Sequence, residues 1–375
     1  MTQAIPSGRT SSQPASALKL VDCDVHAYAR AGLRDVLPYM SEPWRVRFEL
    51  KGLDLNEDSM SYRFANPHKG GALRRDAIPP TGGSPGSDPA FLIKDHVDRY
   101  GIDIAILNNL QVLSLATVMA GPDESIVLCS AFNDYFLKEW MPFDSRFRYE
   151  IIVPSQDPQA AAAEIRRVGS HSAVVGVLLP QLYVPLGNRY YYPIYEEAER
   201  LGLPIVVHPT SCEFQYQGAT VGPAGWPESY SESYAAVPAV AWANLASMVF
   251  SGAFERFPAL KVIFVEFGFS WAVPALWRMD KAWEGCRFET PWVKRHPSDY
   301  VREHVRFATQ PLDEPKKSSD LTALTTMLGL QTLLFSSDYP HWDGDTPGRV
   351  FQNLDADDKR RTFSENAQAC FPLFK

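Results

Sequence analysis

The sequence is short of cysteine, of basic clusters and of unbroken apolar runs, and each shortage narrows what the chain can be. Its five cysteines, Cys23, Cys129, Cys212, Cys286 and Cys370, are odd in number, widely spaced and form no C-x-x-C pair. That usage argues against a disulfide framework or a structural zinc ribbon and fits a reducing cytoplasm. No run of Lys or Arg stands out, and 44 acidic residues against 36 basic ones leave a net charge of −8. Nucleic acid and anionic membrane are therefore poor partners. Residues 1–17 are rich in Ser, Thr, Pro and Gln without an apolar segment, which predicts a disordered tail and no signal peptide. Residues 233–254 carry no charge, but Pro238, Asn244, Ser247, Ser251 and Gly252 dilute them, so they read as a buried or interface helix and not a membrane span.

What is present is the composition of a globular enzyme. Hydrophobic residues at 45% and charged residues at 21% are ordinary, which excludes extensive disorder, collagen and coiled coil. Short β-branched runs recur at 18–26, 102–108, 149–154, 174–179, 204–208, 262–266, 305–309 and 332–337. Helical patterns alternate with them at 89–100, 123–140, 157–168, 194–201, 238–257, 270–283, 319–328 and 355–369. Strands in alternation with helices indicate parallel β/α units. Eight of each predict a (β/α)8 TIM barrel over 18–375, a single domain of the α/β class. Two long insertions, 27–88 after the first strand and 209–234 after the fifth, leave from the strand ends where barrel active sites are built.

The chemical signal lies at those ends. Asp24 and His26 close the first strand, and residues i and i+2 of a strand point the same way about 6.5 Å apart, so both can meet one ion. His208 abruptly ends the apolar run Ile205-Val206-Val207, and Asp338 follows the eighth strand. Each alone has an ordinary explanation, a buried His bonded to backbone or an Asp capping a turn. Together they fall at the carboxyl ends of separate strands.

With Phe257-Pro258-Ala259-Leu260-Lys261-Val262 and Phe335-Ser336-Ser337-Asp338-Tyr339-Pro340-His341, this set resembles the amidohydrolase superfamily, in the amidohydrolase-related branch that contains aminocarboxymuconate-semialdehyde decarboxylase. The resemblance spans about residues 19–369 and implies a metal-dependent barrel enzyme. It implies metal ligation by Asp24, His26, His208 and Asp338, with Asp24 in place of the first His of an H-x-H pair. Two Asp and two His suit Zn, Mn or Fe. At the sixth strand, where the decarboxylase pattern has a catalytic His before Gly, the residues are Val265-Glu266-Phe267-Gly268. Glu266 is either a proton carrier or a ligand of a second ion. Asp24, Asp338 and Glu266 sum to −3, which one divalent ion reduces to −1 and two ions with a hydroxide neutralise.

Two chemistries fit. The first is hydrolysis or decarboxylation of a small carboxylated or aromatic substrate at a Zn or Mn ion, with Glu266, Asp338 and His341 as catalytic groups. The second is oxygenation at a dinuclear Fe or Mn/Fe centre. His68 and Arg75 of the first insertion and Gln310 past the seventh strand are candidate substrate contacts. His96 reads as an ordinary outer-face residue. A third reading is a non-catalytic, metal-bound subunit that supports a related partner through the apolar face of the 238–257 helix; a homo-oligomer is otherwise expected.

Overall fold

Eight parallel strands follow one another in chain order around a single sheet: β1 (Val21–His26), β2 (Ile104–Asn108), β3 (Phe147–Ile152), β4 (Val174–Leu178), β5 (Ile205–Val207), β6 (Val262–Phe264), β7 (Val305–Ala308) and β8 (Leu333–Leu334). The structure is a computed structural model, and it describes residues 19–52, 73–119, 121–182, 184–209, 229–352 and 354–374. The expected tail 1–17, His68, Cys212 and most of the second insertion lie outside the described residues. Closure between β8 and β1 is made by Cys23 N donating to Phe335 O at 3.0 Å and His26 N donating to Tyr339 O at 2.8 Å. Every predicted strand is found, with ends within three residues of the expected ones.

The strands form where apolar, β-branched residues are buried on both faces, as in the wholly buried β4, β5 and β6. The helices start and stop on local chemistry. Asp88 caps the helix beginning at Pro89 by accepting from Phe91 N, and Asp157 caps Pro158–Val168 by accepting from Gln159 N and Ala160 N. Gly202 ends Tyr192–Leu201 in the left-handed conformation that favours glycine. The uncharged segment 233–254 runs through two consecutive helices, Tyr230–Ala236 and Pro238–Phe250, into the start of a third, Ala253–Arg256. By length and composition the run Tyr230–Phe250 could cross a membrane. In the structure Val240, Ala241, Leu245, Met248 and Val249 are buried in the hydrophobic core, and Asn244 accepts from Leu186 N.

One strand departs from the apolar rule. β1 reads Val-Asp-Cys-Asp-Val-His and is buried along its whole length. Its register against β2 shifts between Asp22 and Val25, and buried charges of this kind persist only when paired or metal-bound. The first insertion returns to the same end of the barrel: Leu73 bridges His341, and Arg74 N donates to Pro340 O at 2.9 Å.

Candidate metal centre

Asp24, His26, His208 and Asp338 converge at the carboxyl ends of β1, β5 and β8, all fully buried. Asn108, which ends β2, fixes two of them at once. Its Oδ1 accepts from His26 Nδ1 at 2.5 Å and its Nδ2 donates to Asp24 Oδ1 at 2.6 Å. The first bond commits the Nδ1 proton, so Nε2 is the ring atom turned toward the other ligands. His26 Nε2 lies 2.6 Å from Asp338 Oδ1, and His341 Nδ1 reaches the same oxygen at 2.5 Å. The ring of His208 is held by Nδ1 donating to Pro209 O at 2.7 Å, which leaves its Nε2 facing the cluster.

Two groups can each hold an ion: Asp24, His26 and His208, and His26, Glu266, Asp338 and His341, with ligand atoms inside each group within 4.8 Å of one another. They share His26, so the site offers one ion a choice of donors. Asp24 Oδ2 and His208 Nε2 are buried and have no hydrogen-bond partner among the described residues, yet stand 3.9 Å apart. Unsatisfied buried donors and acceptors are rare, and two that face each other mark where a cation fits. Glu266 Oε2 comes within 3.0 Å of His208 Nε2 but without hydrogen-bond geometry, so the contact is electrostatic. Carboxylate and imidazole donors together suit a divalent borderline metal.

The electrostatics point the same way. Burial would push the His208 imidazolium toward deprotonation, but Glu266 and Asp24 override it and hold its pKa at about 9. His341, also opposed by burial, is pushed up to about 10 chiefly by Asp338. Asp338 is held well below the usual carboxylate range: its two imidazole partners, His341 first, outweigh its burial. Asp24 moves the other way, to about 6, because burial dominates. The cluster thus draws positive charge to itself, the condition that a metal ion meets.

Around this centre lies a tier of residues that sequence reading either misses or assigns to other roles. Gln310 Nε2 donates to Asp338 Oδ2 at 2.9 Å and to Asp343 Oδ2 at 3.0 Å. Its amide nitrogen is therefore committed to carboxylates, and only its buried Oε1, unpartnered among the described residues, faces toward other chemistry. Tyr234, Tyr230 and Trp342 pack as an aromatic group beside it, Trp342 Nε1 donating to Tyr230 Oη at 3.2 Å and the Tyr234 hydroxyl to Asp343. His96 is not on the outer face. It is buried, stacked on Tyr339 and 2.8 Å from Asp22 Oδ2. Asp22 Oδ1 in turn accepts from Ser337 N at 2.9 Å and Asp24 N at 3.3 Å, tying the backbones that carry two ligands. Glu150 of β3 is buried with neither oxygen bonded among the described residues, and burial, reinforced by Asp24, raises its pKa well above the usual range. Arg75 is exposed in the turn Arg75–Ala77, two residues beyond the bridge to His341.

Known proteins place this architecture. A gamma-resorcylate decarboxylase of Rhodococcus jostii (strain RHA1) is 29% identical over 266 residues, 65% of this chain and 75% of that protein. The 2-amino-3-carboxymuconate-6-semialdehyde decarboxylase of Dictyostelium discoideum is 25% identical, covering 71% of each. Among solved structures, a dihydroxybenzoic acid decarboxylase of Polaromonas sp. JS666 with bound manganese and 2-nitroresorcinol superposes with a TM-score of 0.60 at 20% identity, over 94% of this chain and 96% of that one. A 5-carboxyvanillate decarboxylase of Sphingomonas paucimobilis gives 0.64 at 20% identity, over 95% and 99%. These relatives favour the carboxy-lyase expectation and lend nothing to the oxygenase one. The amidohydrolase family profile matches residues 21–373, from the first residue of β1 to beyond the last helix, and the chain belongs to that family.

Proposed function

We propose that the protein is a metal-dependent carboxy-lyase that removes carbon dioxide from a small aromatic carboxylate. The observation that carries this is the placement of Glu266. It stands in the second ligand group with His26, Asp338 and His341, and it alone of the four is partly open, with 17% of its side chain exposed. Non-oxidative decarboxylation needs one proton: the bond between ring carbon and carboxylate breaks, carbon dioxide leaves, and the ring carbon takes the proton in its place. A carboxyl group at the open edge of a buried cluster can carry that proton from the mouth to the ring.

Asp24, His26, His208 and Asp338 would hold the divalent ion, manganese being the one bound in the Polaromonas structure. Such an ion supplies Lewis-acid polarisation of a substrate oxygen. The chain's own work is positional. Asn108 orients Asp24 and His26, Asp338 orients His341, and Tyr230, Tyr234 and Trp342 offer flat apolar faces suited to a ring. His341, Asp338 and Glu266 are the groups placed to handle protons; Arg75 and Gln310 are the candidate substrate contacts.

The test is Glu266→Gln, assayed against a panel of hydroxybenzoates by release of carbon dioxide, with manganese content measured on the same sample. Turnover is expected to fall by about 10²- to 10⁴-fold, the usual range for losing a general acid, with metal retained. Undiminished carbon dioxide release would remove Glu266 from the reaction.

A further inference from the structure

The candidate metal ligand Asp338 is connected to a helix through two intervening side chains. The helix Tyr230–Ala236 follows the second insertion, and its Tyr234 hydroxyl donates to Asp343 Oδ2. That same oxygen accepts from Gln310 Nε2 at 3.0 Å, and Gln310 Nε2 also donates to Asp338 Oδ2 at 2.9 Å. The orientation of the Gln310 amide is fixed by its surroundings. With a carboxylate oxygen on each side, only the nitrogen, with its two protons, satisfies both, whereas the carbonyl oxygen would meet two acceptors. Asp338 Oδ1 is already taken by His26 and His341, so Gln310 makes the hydrogen bond that sets the rotation of the remaining oxygen.

We propose that Tyr234 is a positioning residue for the metal centre, acting through Asp343 and Gln310 on Asp338. The inference rests on Asp338 being a metal ligand, as read above. It concerns what holds that ligand, and not which substrate is turned over. Without the hydroxyl, Asp343 Oδ2 keeps, among the described residues, only its bond from Gln310, and the Gln310 amide is freer to turn away from Asp338. Hydrogen-bond partners behind a ligand typically change metal affinity by about 10- to 100-fold, and an effect passed through one further residue should be smaller. A role confined to packing the helix would depend on the Tyr234 ring, which stacks with Tyr230 at 5.9 Å, and would survive loss of the hydroxyl.

The experiment is a Mn(II) titration of the full chain, with free Mn(II) read by electron paramagnetic resonance, on wild type, Tyr234→Phe, Gln310→Met, the double variant and Asp338→Asn. Tyr234→Phe should weaken Mn(II) binding by about 3- to 10-fold and Gln310→Met by about 10- to 100-fold. The double variant should be no weaker than Gln310→Met alone, because the two act in series. If Tyr234→Phe binds like wild type while Asp338→Asn is weakened, the relay is refuted and the metal site stands. If Asp338→Asn also binds like wild type, the site reading fails and the relay falls with it. Should Tyr234→Phe not fold, Asp343→Ala removes the shared oxygen and must show the same loss.

Discussion

Replacing Asp338 with Asn changes one atom and one charge at the most heavily used side chain in the centre. Asp338 Oδ1 lies 2.6 Å from His26 Nε2 and accepts from His341 Nδ1 at 2.5 Å, and its Oδ2 accepts from Gln310 Nε2 at 2.9 Å. An asparagine has one acceptor oxygen and one NH2. If the oxygen faces the imidazoles, the NH2 meets the Gln310 amide; if it faces Gln310, the NH2 meets two rings. Either rotamer sets donor against donor in a fully buried place. A buried hydrogen bond to a charged group contributes about 1.5–3 kcal/mol, so losing the charge and one partner should weaken metal binding by about 2–4 kcal/mol. That corresponds to about 30- to 1,000-fold in dissociation constant. The assay is the Mn(II) titration described above, with thermal unfolding of the metal-free protein run in parallel to show that the barrel persists. A dissociation constant within threefold of wild type, in a folded variant, would refute ligation by Asp338.

Two further expectations concern the scaffold. A Cβ at Gly176 would lie 3.3 Å from Glu150 Cγ and 3.3 Å from Val206 Cγ2, so Gly176→Ala should destabilise by about 1–3 kcal/mol in a denaturant titration; an unchanged midpoint would mean that Glu150 has room to move. Glu124, buried in the first turn of Pro122–Tyr135, is opposed by burial, yet its bonds from Lys51 and Arg47 lower its pKa below 4.5. A carboxylate lowered on folding stabilises above its unfolded pKa and loses that contribution as pH falls through the folded one. The stability gap between wild type and Glu124→Gln should therefore be about 1 kcal/mol near neutrality, kept small by the exposure of Arg47 and Lys51, and close below pH 4.5. A gap that does not vary with pH would contradict this.

The candidate ligands were legible because each is a metal-binding residue type near or just past the carboxyl end of a strand, most plainly His208, which ends the apolar run Ile205-Val206-Val207. Asn108 gives the same interruption after Ile104-Ala105-Ile106-Leu107, but an amide is not an obvious ligand, and its role depends on two neighbours it meets only across the β1–β2 register. His96 illustrates a failed periodicity. The helix winds wider over Ile93–Val97, so a constant 3.6-residue repeat assigns His96 the wrong face, and the ring turns inward to Asp22. The contact between Tyr234 and Asp343 joins residues 109 apart in the chain, and nothing local in either sequence encodes it. Local pattern thus reveals which strand end carries chemistry, while the groups that orient the ligands come from whichever loops the closed barrel brings together.

Backbone conformation separates Glu266 and Asp338 from the other site residues in a way that residue type does not show. Both have positive φ, 59° and 57°, where a side chain is strained by roughly 1–2 kcal/mol and glycine or asparagine is usual. Each lies just beyond a short strand, β6 or β8, where the chain must turn sharply out of the barrel. A glycine would relieve the strain at either position but would remove the carboxylate. That both positions keep an acid in a conformation that disfavours it means the fold is held there against its local preference by what surrounds it. At Asp338 the surroundings include two hydrogen bonds to the carboxylate, from His341 and Gln310, enough to offset the strain. At Glu266 the attractions from described residues are electrostatic, to His208 at 3.0 Å and to His341. The strain at Glu266 is therefore the less well compensated of the two, which agrees with the roles proposed above, a proton carrier at Glu266 and a metal ligand at Asp338.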